Sequence, residues 1–312
     1  MSAANLSARA HEATSSIDFR RRLHERQQLV ARALDEHFPP GAGHLTAAIR
    51  EALLADGKRL RPILCLEACE WVGGSVKAAL PAACALEMIH KMTLVHDDLP
   101  AMDDAETRNG RPALHKVHGE ALAILAGDAL LVHAFGLLAS TRGVPAERVT
   151  VAIRRLCQAL GTTGLAGGQA LDVLSQTEGV TPEKLDHVHT WKTASFFEVA
   201  IVIGAEMGGA DASQVEALAR YGMLLGRAFQ ISDDLLDARD EKGKVEGEVT
   251  NYVQLHGVEG ARRKLRELLN QAVSSIASVK GGDIQLLAGI TELVWERSWN
   301  AEEEEGHHGN DA

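Results

Sequence analysis

Apolar residues recur along this chain at helical spacing, with almost none of the strict alternation that a half-buried strand requires. The pattern predicts helices near 18–38, 44–55, 59–72, 77–98, 115–140, 147–160, 163–176, 182–208, 212–240, 258–279 and 284–299. Local signals mark several ends. Thr181-Pro182 sets a cap before a proline at the first helical position, and Asp211-x-x-Gln214 has the form of a capping box. Gly73-Gly74, Gly208-Gly209 and Gly281-Gly282 fall where helices should stop. No strand of useful length and no fixed-period repeat interrupts the pattern. The fold class that follows is all-α: a single-domain helical bundle over 18–299, preceded by a flexible 1–17 and followed by an acidic, disordered 300–312.

Composition narrows the function classes. At 312 residues there is ample material for a core, and a formal charge of −11 argues against nucleic acid or an anionic membrane as partner. Part of that charge is the solvated run Glu302–Glu305. Cys65, Cys69, Cys84 and Cys157 show no CxxC spacing and no companion histidine pair, so buried free thiols are expected rather than a zinc site. The start of the chain lacks the apolar stretch of a signal peptide. The run ALAILAGDALLVHAFGLLA carries Asp128 and His133, which suits a buried helix better than a membrane span. A soluble, cytoplasmic protein is the expectation.

The candidate chemistry begins with LVHDDLPAMDD, where Asp97, Asp98, Asp103 and Asp104 crowd the end of an apolar helix. Neighbouring like charges repel on a helix, and a bound cation relieves them. Carboxylate-only sites suit hard ions, Mg²⁺ above all when phosphate completes its shell. A solvated acidic helix end explains one such cluster equally well. FQISDDLLD supplies a second, in which Asp233, Asp234 and Asp237 share one helical face. Two such clusters could clamp metal ions on one polyphosphate.

Cations are concentrated elsewhere. Gly57-Lys58-Arg59-Leu60-Arg61-Pro62 offers guanidinium forks and an ammonium suited to a diphosphate, although an exposed helix start would read the same. His90 lies two turns before Asp97 and either faces a cavity or sits satisfied in the core. Lys192 and Thr193, in Trp191-Lys192-Thr193, stand amid apolar residues, where a lysine needs a partner. Gln169 and Asp172 in GGQALD share a helix, where the glycines alone would serve a close crossing. Gln230, one turn before Asp234, presents a neutral dipole.

LVHDDLPAMDD, GKRLRP, GGQALD, WKT and FQISDDLLD, in this order, resemble the trans-isoprenyl diphosphate synthases, or polyprenyl synthetases, from about residue 20 to 297. HKVHGEALAILAGDALL is similar to the short-chain members. The resemblance implies an isoprenoid-synthase helical bundle with a central cavity, a second identical chain as partner (a homodimer), and the activity of a chain-elongating prenyltransferase. Its substrates would be isopentenyl diphosphate and allylic diphosphates, with Mg²⁺, three ions per site, on Asp97, Asp98, Asp103, Asp233, Asp234 and Asp237. Lys58, Arg61 and His90 would hold isopentenyl diphosphate, while Arg108, Lys192 and Lys244 would hold the allylic diphosphate. Thr193 and Gln230 would line the wall beside the allylic cation.

Three departures from the family pattern stand out. Arg108-Asn109 occupies the place of two arginines, so Asn109 brings no charge to isopentenyl diphosphate. Gly243-Lys244 follows a short spacer, and Val249 stands near the place of a lysine. Product length should be set by Met92 and Thr93. Position 92 lies ~7.5 Å of helix below Asp97, where farnesyl-making relatives often carry an aromatic floor. Flexible Met92 leaves room for geranylgeranyl diphosphate, with farnesyl diphosphate next. The alternatives are a non-catalytic partner subunit, motivated by Asn109 and Val249, and an all-helical metal phosphohydrolase built on His96-Asp97 with His115 and His118.

Overall fold

The computed structural model describes residues 3–41, 43–178, 182–240 and 251–298. Helices dominate: α1 (Ala3–His37), α2 (His44–Leu54), α3 (Leu60–Trp71), α4 (Val76–Asp97), α5 (Leu114–His118) and α6 (Glu120–Ala139) come first. They are followed by α7 (Ala146–Leu160), α8 (Leu165–Glu178), α9 (Pro182–Val188), α10 (Ser195–Gly208), α11 (Ala212–Asp240), α12 (Tyr252–Ala277) and α13 (Gln285–Arg297). Among the described residues, extended pairing is confined to a hairpin of β1 (Thr107–Arg108) and β2 (Arg111–Pro112). The all-α expectation holds. α1 runs back through part of the stretch expected to precede the first helix.

Contacts divide the chain into two compact units. The described residues within 1–153 and 203–210 form the first, and those within 154–202 and 211–312 the second. In the first unit α4 packs against α3 and α6. Its alanines Ala79, Ala82, Ala83 and Ala85 are buried and keep the helix narrow, while Leu86, Met88 and Ile89 fill the space beyond. α1 is tied to α3 through Arg22 and Arg26, each 2.6 Å from the carboxylates of Glu67 and Glu70. In the second unit α11 packs on α12 and α13, and Tyr221 donates a buried hydrogen bond of 2.7 Å to the Leu287 carbonyl.

Several expected helices are interrupted for local reasons. Gly119 and Gly257 take φ of 82° and 70°, so the helix expected at 115–140 splits, and residues before 258 form a separate turn merged into α12. Between α9 and α10, His189–Ala194 adopts a π-helical turn inside the stretch expected as one helix over 182–208. Such insertions shift side chains around the axis and recur at functional sites. The Asp211 box closes reciprocally: Gln214 N–H donates to Asp211 Oδ1 at 2.9 Å, and Asp211 N–H to Gln214 Oε1 at 3.0 Å. Thr181, Gly243, Lys244, Val249 and Glu302–Glu305 lie outside the described residues.

α6 is buried on one face and open on the other, where a buried helix was expected. Ile124, Leu125 and Val132 are 44%, 50% and 72% exposed, forming an apolar stripe at helical spacing.

Candidate active site

The first carboxylate cluster is closed by a turn. α4 ends at Asp97, and the chain folds back so that Asp103 N–H donates to the Asp97 carbonyl at 2.9 Å and Ala105 N–H to that of Asp98 at 3.1 Å. Asp103 thereby returns beside Asp97. Asp104, with φ of 46°, takes the left-handed conformation that aspartate tolerates better than most residues. Asp97 is half-buried, Asp103 exposed, and Asp98 buried. Asp98 Oδ1 accepts from Arg108 Nε at 2.9 Å and again from its terminal nitrogen. These bonds to Asp98 hold the Arg108 guanidinium above its ordinary pKa.

Arg108 is aimed by the hairpin. Arg108 pairs with Arg111, and the two residues between them, Asn109 and Gly110, have φ of 52° and 73°. Positive φ at both central positions is the type I′ pattern that Asn-Gly favours. Asn109 is therefore shaped by the turn, a role invisible when it is read only as an absent arginine.

Beside the hairpin, a cavity of ≈ 100 Å³ is lined by Lys91, Asp98, Arg108, Asn109 and Arg111. His90 precedes Lys91 on α4. Burial, with Arg61, Lys91 and Arg108 nearby, pushes the His90 imidazole well below its usual pKa, so it stays neutral and can donate one N–H. Arg61 and His90, expected at isopentenyl diphosphate, thus share a basic neighbourhood with Lys91 and with Arg108, expected at the allylic diphosphate. Lys58 is exposed ahead of α3, where its carbonyl accepts from Gln27 at 3.2 Å. Lys91, 5% exposed, was not singled out by its sequence context. Met92 is buried on α4, and Thr93 Oγ1 donates to the His90 carbonyl at 2.8 Å.

The second cluster lies in the other unit and stays on continuous α11. Asp234 is buried. It accepts from Tyr252 N–H at 2.8 Å and Gln230 Nε2 at 3.4 Å, with His189 Nε2 3.6 Å away. Asp233 meets Arg297 at 2.5 Å, and Asp237 is exposed. Burial pushes the Asp233 carboxyl up to about 6; Arg297 opposes that shift, and Asp237 and Asp234 add to it. Arg297 had no local sequence signature.

The π turn organises the other side of this unit. Lys192 Nζ reaches Asp172 Oδ2 at 2.5 Å, supplying the partner that a lysine in apolar surroundings requires. Thr193 Oγ1 donates to Gln230 Oε1 at 2.9 Å. A Cβ on Gly168 would lie 2.4 Å from the Lys192 nitrogen, so the GGQALD glycine permits that close crossing.

Among the described residues no three His, Cys, Asp or Glu side chains converge into a ready-made metal centre. Mg²⁺ does not need one, since it keeps water and draws oxygens from phosphate with one or two carboxylates. Asp97 with Asp103, and Asp233 with Asp237, meet that requirement by donor type. At Asp233 the upward shift comes first from burial, with Asp237 and Asp234 adding negative charge beside it.

Residues 43–280 match the family model described as polyprenyl synthetase. The chain belongs to the polyprenyl synthetase family. It is 42% identical over 287 residues to a geranylgeranyl diphosphate synthase of Cyanophora paradoxa, covering 88% of this chain and 95% of that one. It is 37% identical over 302 residues to chloroplastic geranylgeranyl pyrophosphate synthase 12 of Arabidopsis thaliana, covering 92% and 83%. The crystal structure of an FPP/GFPP synthase from Zymomonas mobilis superposes with a TM-score of 0.81 at 30% identity, covering 90% of this chain and 99% of that one. This polyprenyl synthetase is a short-chain prenyltransferase, with the trans-isoprenyl diphosphate synthase fold that the motifs led us to expect.

Proposed function

We propose that this prenyl synthase condenses isopentenyl diphosphate with an allylic diphosphate in a Mg²⁺-dependent reaction, with geranylgeranyl diphosphate as product ahead of farnesyl diphosphate. The observation that carries this reading is the Asp98–Arg108 pair, which joins a carboxylate edge suited to metal–phosphate to a cavity whose cations, Lys91, Arg108 and Arg111, suit a second diphosphate. Asp97 and Asp103 in the first unit, and Asp233 and Asp237 in the second, would each offer oxygens to Mg²⁺; Asp98 and Asp234, also expected as ligands, chiefly anchor their neighbours. Mg²⁺ bound there supplies Lewis-acid stabilisation of the departing diphosphate.

The chain's own residues do the rest. Arg61, neutral His90 and Arg108 orient the diphosphates, with Lys58 and Lys244 as further cations. Lys192 is kept in place by Asp172, and Thr193 and Gln230 fix each other so that their dipoles lie beside the developing allylic cation. Incubation of labelled isopentenyl diphosphate with dimethylallyl, geranyl and farnesyl diphosphates should give elongated products with Mg²⁺ and none with EDTA. Equal product in EDTA would overturn the reading. Met92→Tyr should shorten the product, read by chromatography after dephosphorylation, and an unchanged length would remove Met92 from that role. The open apolar stripe on α6 supports a homodimer. Val132→Asp should then shift the protein to monomer by light scattering. Cytoplasmic location is part of the same reading.

A further inference from the structure

The charges lining the cavity by the hairpin are equal in number but not all paired with one another. Glu51, Asp56 and Asp98 are its acids; Lys91, Arg108 and Arg111 are its cations. Asp98 is taken by Arg108, Glu51 accepts from His118 at 2.8 Å, and Asp56 lies 3.9 Å from Arg111. Lys91 is left over. Among the described residues no carboxylate forms an ion pair with its ammonium, although Glu87 stands one turn away with a buried, unpartnered oxygen. Its one hydrogen bond among the described residues runs to the Ala55 carbonyl at 3.1 Å, and an ammonium has three donors.

A lysine held almost wholly out of water with donors to spare, on a cavity wall, is an incomplete arrangement unless an anion completes it. Burial lowers the Lys91 pKa, and Glu87 works against that. Asn109 borders the same cavity with an amide in place of a cation.

We infer that Lys91 binds the diphosphate of isopentenyl diphosphate directly, supplying from α4 the positive charge that Asn109 does not bring from the hairpin. This rests on the prenyl synthase reading above, and it adds a substrate-positioning residue to it. Lys91 contacts the diphosphate and not the reacting carbons, so its loss weakens binding more than turnover.

The test uses the full chain in a Glu87→Gln background, which removes the buried carboxylate that Lys91→Gln would otherwise strand. Isothermal titration with isopentenyl diphosphate in EDTA reads the cation-held site without metal. Adding Lys91→Gln should weaken binding at least tenfold, and the KM for isopentenyl diphosphate should rise similarly with kcat and the KM for geranyl diphosphate within about twofold. Lys91→Arg should restore most of the affinity. Unchanged affinity on Lys91→Gln, or an equal rise in both KM values, overturns the role of Lys91 while leaving the synthase reading intact. A wild-type chain that makes no prenyl product sinks the synthase reading, and the titration then overturns or upholds diphosphate binding by Lys91 on its own.

Discussion

The two carboxylate clusters look alike in sequence and are built differently. In FQISDDLLD the helix itself does the work: α11 continues through all three aspartates, and helical spacing puts Asp233 and Asp237 on one side. In LVHDDLPAMDD the helix stops at Asp97, and backbone hydrogen bonds across a turn bring Asp103 back. What they share is a division of labour. Each DD pair contains one buried aspartate committed to protein partners, Asp98 to Arg108 and Asp234 to Tyr252 and Gln230. Asp97, Asp103 and Asp237 stand at the edge, half-buried or exposed, while Asp233 is itself held by Arg297. Equivalent letters in a motif thus need not do equivalent jobs, and substitution should separate edge from anchor.

The largest effect is expected at the edge. Asp97→Asn and Asp237→Asn should each lower prenyl transfer by roughly 10³-fold, the scale of losing a key electrostatic group. Their urea-unfolding midpoints should stay near wild type, because neither side chain is fully buried. A variant whose activity survives would take that residue out of the metal-holding role. One that unfolds early would make it an anchor after all.

Anchors should behave in the opposite sense, and unequally. Asp234→Ala strands the Tyr252 N–H that begins α12, along with the Gln230 amide, and should cost roughly 2 kcal/mol in urea unfolding. Asp98→Ala should cost about 1 kcal/mol, because the Arg108 side chain is 39% exposed and can turn to water. Its activity should nevertheless fall, since Arg108 would lose its aim. Equal destabilisation of the two variants would erase the proposed difference between a helix-start anchor and a cation anchor.

How much of this was readable beforehand follows from the range of each interaction. The helices were legible because a 3.6-residue period is a local property, and the Asp211 box closed as its spacing implied. Both carboxylate clusters were visible as composition. Their pairings were not: Arg297 meets Asp233, and Asp172 meets Lys192, across helices whose approach no local pattern encodes. The π turn at His189–Ala194 was equally hidden, since it changes the helix period without an unusual residue type to mark it. Asn109 shows the converse. The sequence exposed its missing charge, whereas its φ of 52° shows the turn that asparagine serves.

The smallest effect separates backbone from chemistry within the turn-closed cluster. Asp104 is its fourth carboxylate, exposed, with φ of 46° and its side chain 3.7 Å from Lys116. If its place is conformational, glycine should serve as well as aspartate, because only the left-handed backbone is needed. Asp104→Gly should leave prenyl transfer within about twofold, whereas Asp104→Ala, which cannot take that conformation cheaply, should cost about 1 kcal/mol in urea unfolding. The exposed pair with Lys116 adds little to either number. A large loss of activity in Asp104→Gly would instead make Asp104 a working carboxylate beside Asp97 and Asp103. The cluster would then hold its metal through one more oxygen donor than its counterpart on α11.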